Sequence, residues 1–357
     1  MKHFLKRMPL EFYVLVLPSI FLAIAFGGAG LLKSGLASFP VNKDVLSLEN
    51  LFFYPLILFV FVRFVVFMFT TARDPETLNS SNNISLKTIY SIFFIILCLV
   101  LTTYSVALTT SWVFQNADSV RSIEISKKIM SFDFLVFKTY PPFVLQKLGH
   151  YSHLLEVFIV NSYLHLFLLI KLFLFVTFFK KDVFRKFVFA FFIGFLITFP
   201  LWYMFPVMYP SGMYRVNVFN VEVPKDIRGY IEKYPPTEYN RALVERLDTY
   251  WVSPTSEFLG VSANPSMHVA WGLMLVWFSF ELSPYLILLS IPWFVMQTTG
   301  TMYMFQHFAT DVITGLIIGA ISIFIVSKLI KLEKKYYLDD YKLLSIFDVI
   351  KKIVLGR

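Results

Sequence analysis

An all-α polytopic membrane protein is the fold class this sequence predicts, and three observations carry it. Hydrophobic residues make up 57% of the 357, aromatic residues 19% and charged residues 15%, with a mean hydropathy of +0.68; soluble domains average about half apolar and about a quarter charged. The 42 phenylalanines exceed what the interior of one soluble domain hides, so lipid must solvate most of the apolar surface. Finally, long apolar runs recur along the chain, punctuated by short basic clusters.

A helix needs about 20 apolar residues to cross the hydrocarbon core. Eight runs meet that test: 10–32, 51–71, 88–113, 153–178, 187–208, 266–282, 284–303 and 308–330. The first is too long for the apolar region of a signal peptide and lacks a cleavage motif after it, so it is expected to remain as an anchor. The last three are tightly joined. "ELSP" (Glu281 to Pro284) reads as a minimal turn, with Pro284 placed to open the next helix.

Short basic segments set orientation. With the N-terminus inside, the inner segments hold Lys2, Lys6, Arg7, Arg73, Lys87, Lys180, Lys181, Arg185 and Lys186, and the Lys-rich tail from Lys328 is inside too. Two long segments, 114–152 and 209–265, then lie outside. The first contains "FDFLVFKTYPPFVLQKL" (Phe132 to Leu148), apolar but broken by Pro141 and Pro142, and reads as an interfacial or re-entrant element. In the second, Tyr239, Leu243, Leu247 and Trp251 recur every four residues and mark one helical face. The tail after Leu332 reads as an amphipathic helix on the inner surface. The expected organisation is therefore two N-terminal helices over 1–87, a helical core over 88–331 and a tail over 332–357.

The net charge of +9 does not indicate nucleic acid, because the bases are scattered with no Lys/Arg stripe and no nucleic-acid motif. Cys98 is the single cysteine, which excludes an internal disulfide and a cysteine metal site. Arg63 and Lys171 lie in the inner halves of their spans and can snorkel, while His165, deep in span four, suits a structural hydrogen bond.

Chemistry-bearing residues gather on the outer face. Span five ends at "YPSGMYR" (Tyr209 to Arg215), span six begins at "NPSMH" (Asn264 to His268), and spans seven and eight meet at "TMYMFQHFATD" (Thr301 to Asp311). His307 and Asp311 are four apart, which on a helix leaves about 5–6 Å between Cβ atoms. A carboxylate there fixes the imidazole tautomer and makes the other nitrogen a better nucleophile. His268 can protonate a leaving oxygen, Arg215 offers a planar fork for phosphate oxygens, and Ser266 sits in a helix first turn that favours an anion. Together they suit phosphoryl transfer without metal or cofactor. The bland alternatives are a capping or snorkelling histidine, helix-terminal charge compensation by Asp311, and a loop-holding Arg215.

These stretches resemble the type 2 phosphatidic acid phosphatase superfamily. "PSMH" and "HFATD" are similar to its second and third sequence blocks, usually Pro-Ser-Gly-His and His-x-x-x-Asp. The likeness is to the branch of the inositol phosphorylceramide synthases, where a Thr takes the place of the third block's arginine; here that is Thr301. "YPSGMYR", "FDFLVFKTYPPFVLQKL" and "NSYLH" (Asn161 to His165) resemble further parts of that branch, so the likeness covers roughly 130–320. Asp133 and Gln146 fall in its upstream region.

The resemblance implies that spans three to eight form a six-helix core, with His307 as phosphohistidine nucleophile, Asp311 as its partner and His268 as general acid. Arg215, Ser266 and Thr301 would serve the phosphate. The lysine of the usual first block is absent, and Met213-Tyr214 stands where the branch has a proline pair. The implied substrate is a phospholipid or phosphorylated lipid, handled at the extracytoplasmic face of the plasma membrane, or the lumenal face in a eukaryotic cell. Transfer of a phospho-headgroup to an alcohol and hydrolysis of a lipid phosphate both fit. A non-enzymatic transporter or scramblase would want polar residues along a whole helix face, whereas here they collect at one end. Oligomeric state stays open.

Overall fold

The computed structural model describes residues 12–22, 24, 109–110, 112–113 and 116–336, apart from 178–179, 216–221, 223 and 252–260. The expected spans at 51–71 and most of 10–32 and 88–113 lie outside the described residues, as do Arg63, Cys98 and nearly all of the tail. Among the described residues there are helices and no strand, with one isolated bridge between Val207 and Ser262.

Two compact units divide the chain. The first takes the described parts of 1–109, 174–185 and 328–357. It holds the short helix α1 (Leu17–Leu22) and a two-pronged ion pair from Arg185 to Glu333, at 2.5 and 2.6 Å.

The second unit, 110–173 with 186–327, carries the candidate site. In chain order the helices are α2 (Ser119–Phe137), α3 (Pro141–Val144), α4 (Lys147–Tyr151), α5 (His153–Leu164), α6 (Leu166–Thr177), α7 (Lys181–Met204), α8 (Lys225–Lys233), α9 (Glu238–Trp251), α10 (Met267–Leu282), α11 (Ile287–Tyr303) and α12 (Ala309–Tyr336). Residues 182–204 and 309–333 are long and apolar enough to cross a membrane. A third span exists if α5 and α6 count as one.

The expected span over 153–178 is bent by 58° between α5 and α6. Both the backbone N–H and the Nδ1 of His165 turn on the carbonyl of Asn161, at 3.0 and 2.9 Å. A side chain intruding on the helical ladder is a recognised cause of a kink. The structural hydrogen bond expected for His165 is therefore present, and it shapes the helix.

The broken apolar stretch around Pro141 and Pro142 forms two short helices, and the four-residue repeat of 239–251 forms α9. At "ELSP" the backbone does turn. Ser283 is extended, and Pro284 opens a 3-10 turn that leads into α11.

Small residues let the helices meet closely. A Cβ on Gly300 of α11 would stand 2.6 Å from the Ile159 carbonyl of α5. On Gly315 of α12 it would stand 2.4 Å from the Ser266 carbonyl at the start of α10. Further down, Phe187 lies between Phe173 and Phe278, with ring centroids at 4.9 and 5.9 Å. This aromatic packing is a large apolar payload that fixes α6, α7 and α10 against one another.

Candidate active site

Helix α11 ends in a Schellman turn. Gln306 N–H donates to Thr301 O at 3.0 Å and Phe305 N–H to Met302 O at 2.9 Å. Phe305, at the left-handed position with φ 54°, occupies the place where glycine is usual. His307 N–H also donates to the Thr301 carbonyl, at 3.2 Å. His307 is thus the single residue between that turn, which closes at Gln306, and Phe308, the position before the first residue of α12, Ala309.

A backbone strap positions the imidazole. Val207 N–H donates to Val261 O and Ala263 N–H to Val207 O, both at 3.1 Å. The Ala263 carbonyl is thereby aimed at His307, whose Nδ1 approaches it to 2.8 Å. A carbonyl only accepts, so Nδ1 carries the proton and Nε2 keeps its lone pair. His268 comes from the first turn of α10, and its Nδ1 lies 3.3 Å from that Nε2. The bare nitrogen requires His268 Nδ1 to be the donor. The two histidines do meet, 39 residues apart in sequence.

Asp311 also reaches His307, but not as the helical i, i+4 pairing predicts. His307 precedes α12 instead of lying on it, and Asp311 Oδ2 is 3.8 Å from Nδ1. That oxygen accepts from Phe308 N–H at 2.7 Å, and Oδ1 has no hydrogen-bond partner among the described residues. Asp311 is fully buried and His307 nearly so, at 0% and 4% exposed. Burial holds His307, in the turn between α11 and α12, down to about 4, opposed by the Ala263 bond. Its imidazole is neutral at neutral pH.

The other expected site residues are placed less directly. Ser266 is buried and committed internally: its N–H donates to Asp311 O at 3.1 Å, and its Oγ caps α10 by accepting from Val269 N–H at 3.4 Å. Thr301 donates its hydroxyl to Thr298 O at 2.7 Å, while its carbonyl builds the turn before His307. Arg215 closes a π-helical turn, Ser211–Arg215, which is tied to the site by Ser211 N–H donating to Phe305 O at 3.1 Å. The Arg215 side chain lies outside the described residues. Among the described residues, no three His, Cys, Asp or Glu side chains gather where they could hold a metal ion.

Sequence reasoning missed two contributors. One is the Ala263 carbonyl, a backbone group that any residue type could supply. The other is an aromatic wall: Tyr163, Phe167 and Trp271 stand 5.2, 5.8 and 6.0 Å from the His268 ring. Trp271 is in turn stacked on Phe191 at 4.7 Å. The spacing His268 to Trp271 on one helix face was the available signal for the last of these.

A family model described as the PAP2 superfamily matches residues 127–325, more than half of the chain and including both histidines, Asp311 and Arg215. No curated protein and no solved structure matches. The matched region coincides with the one in which the sequence blocks were recognised. The chain belongs to the PAP2 superfamily, enzymes of the phosphatase and phosphotransferase kind that work on lipid-type substrates in a membrane.

Proposed function

We propose that this protein is a lipid phosphotransferase that works through a phosphohistidine, moving a phosphoryl or phospho-headgroup from a lipid donor to an alcohol, in the manner of the inositol phosphorylceramide synthases. The observation that carries the reading is the bare Nε2 of His307, backed by the Ala263 carbonyl and facing His268 Nδ1 at 3.3 Å.

In the first half-reaction His307 Nε2 attacks phosphorus, the N–P bond forms and the bond to the leaving oxygen breaks. His268, protonated on both nitrogens in the complex with the anionic substrate, gives one proton to that oxygen and is left neutral. In the second, His268 takes a proton from the acceptor hydroxyl as its oxygen attacks phosphorus and the N–P bond breaks. At 3.3 Å the two rings leave no room for an intervening phosphorus, so they part when substrate enters. Asp311, 3.8 Å from His307, offsets the positive charge of the phosphorylated imidazole. Arg215 and the backbone N–H groups that follow Ser266 in the first turn of α10 serve the phosphate oxygens, while Thr301, whose carbonyl accepts from His307 N–H, supports the turn. No metal is needed for any step, and turnover in a strong chelator is expected to match turnover without it.

The same reading places the site at the extracytoplasmic face of the plasma membrane, in a chain of eight spans whose last six form the catalytic core. Hydrolysis of a lipid phosphate is the second reading, supported by the family match, and differs only in which hydroxyl attacks the intermediate. The deciding experiment incubates purified protein with phospholipids and phosphorylated lipids in ¹⁸O-water, with and without inositol and other alcohols. Mass spectrometry then separates the outcomes: a new phospho-alcohol supports transfer, and ¹⁸O-phosphate released at the same rate whatever alcohol is present assigns hydrolysis.

A further inference from the structure

Helix α12 starts without a cap of its own. Its N-cap position is Phe308, whose side chain offers no acceptor to the orphan N–H groups of the first turn. Asp311, the third residue of the helix, serves the N–H of Phe308, which is the return arm of a capping box. The forward arm comes from another helix. Asp133, near the end of α2 and 1% exposed, accepts from Ala309 N–H at 2.8 Å, Thr310 N–H at 2.9 Å and the Thr310 hydroxyl at 2.5 Å.

We infer that Asp133 is a positioning residue for the reaction at His307: an N-cap supplied from 176 residues upstream, which fixes the first turn of α12 and therefore the nucleophile. The inference rests on the reading of His307 as the nucleophile.

The geometry gives Asp133 this leverage. His307 alone separates the Schellman turn from the N-cap of α12. Its upstream side is held by the Thr301 carbonyl. Downstream, the first turn is held by two carboxylates: Asp311 serves Phe308, and Asp133 serves the next two N–H groups. A buried carboxylate taking three donors has no water to replace it. Burial leaves the Asp133 carboxyl raised above its ordinary value, a rise that the hydrogen bonds from Thr310 and Ala309 oppose by favouring the acceptor form that caps the helix. If the cap is lost, the first turn of α12 frays, Asp311 moves with it, and the imidazole loses its fixed direction.

The test uses purified, monodisperse full-length protein with phosphatidic acid in mixed micelles. Asp133→Asn keeps the volume but turns an amide toward backbone donors, and Thr310→Val removes the hydroxyl bond alone. Rapid quench measures phosphohistidine formation, and ¹⁵N-histidine NMR, assigned with His307→Gln, reports the His307 ring. With about 1 Å of misplacement costing roughly 10²-fold, Asp133→Asn is expected to slow intermediate formation by about 10- to 10²-fold, with half-saturating lipid within about twofold. Thr310→Val should slow it less, and the double variant should be no slower than Asp133→Asn. The His307 nitrogen shifts should move in both single variants. If Asp133→Asn is not recovered folded, Thr310→Val carries the same comparison. A lower Tm with the wild-type rate per folded molecule and unmoved shifts overturns the inference. If the wild type itself forms no phosphohistidine, the reading of His307 fails, and the ring shifts alone judge Asp133: moved shifts support it and unmoved shifts overturn it.

Discussion

The Nδ1 of His307 faces a carbonyl and not a carboxylate, which changes what Asp311 has to do. Where a carboxylate sets the tautomer, its amide replacement has cost about 10⁴-fold. Here Ala263 holds the tautomer, so Asp311→Asn loses charge but not direction. Opposite unit charges about 4 Å apart are worth about 4 kcal/mol at an effective dielectric constant of about 20, which caps the expected loss near 10³-fold. Rapid-quench kinetics on the folded variant should therefore give a rate between that limit and wild type; a wild-type rate would reduce Asp311 to a helix-capping residue. The depressed His307 makes a second prediction. Its ordinary value is 6.5 and its folded value about 4, so the fold disfavours the charged ring. Stability is fully present above 6.5 and is lost as pH falls toward 4, while in the folded protein the nucleophile takes up its proton only near the bottom of that window. NMR titration of His307 with a midpoint near 6.5 would contradict both statements.

Helix contacts, more than side-chain identity, bring the two histidines together. The start of α10 lies on α12 at Gly315, where an added Cβ would meet the Ser266 carbonyl at 2.4 Å. Neither backbone can yield without moving His268, two residues on. Gly315→Ala is expected to cost about 1–3 kcal/mol by overpacking and to slow phosphoryl transfer in the molecules that remain folded. Gly229→Ala on α8 has nothing within 4 Å of the new Cβ and should leave Tm and rate unchanged or slightly improved, since Ala favours helix by about 1 kcal/mol. Thermal unfolding with single-turnover kinetics checks both; equal behaviour of the two variants would refute the contact account. The same scale shows what the sequence could disclose. The helices of spans four to eight and α9 itself follow from local patterns of apolar spacing, and the His and Asp blocks from their position at the ends of those runs. On α9 the buried residues among those described are Asn240 and Val244, one place beyond Tyr239 and Leu243 of the expected face. The 58° bend was hidden because a histidine intruding on its own helix leaves the apolar run intact. Ala263 was hidden because a carbonyl has no residue signature, and Asp133 because its bonds span 176 residues.

Across the whole molecule, the short basic segments and the buried chemistry should fall on opposite sides of the membrane. Lys186 pairs with Glu281 at 2.6 Å, and these residues lie at the ends of α7 and α10 remote from His268. In a Cys98→Ser background, Lys233→Cys on α8 should react with a membrane-impermeant maleimide in intact cells, and Lys331→Cys only after permeabilisation. The reverse pattern would invert the topology and put the site inside. The claim on which all else depends is that His307 becomes covalently phosphorylated. It is tested most directly by reacting wild type, His268→Ala and His307→Ala with an activated phosphate monoester, quenching in alkali and mapping the acid-labile phosphate by mass spectrometry. Phosphate is expected on His307 in the wild type, accumulating in His268→Ala, with neither phosphate nor turnover in His307→Ala. Near-normal turnover by His307→Ala, or phosphate on any other residue, would contradict it.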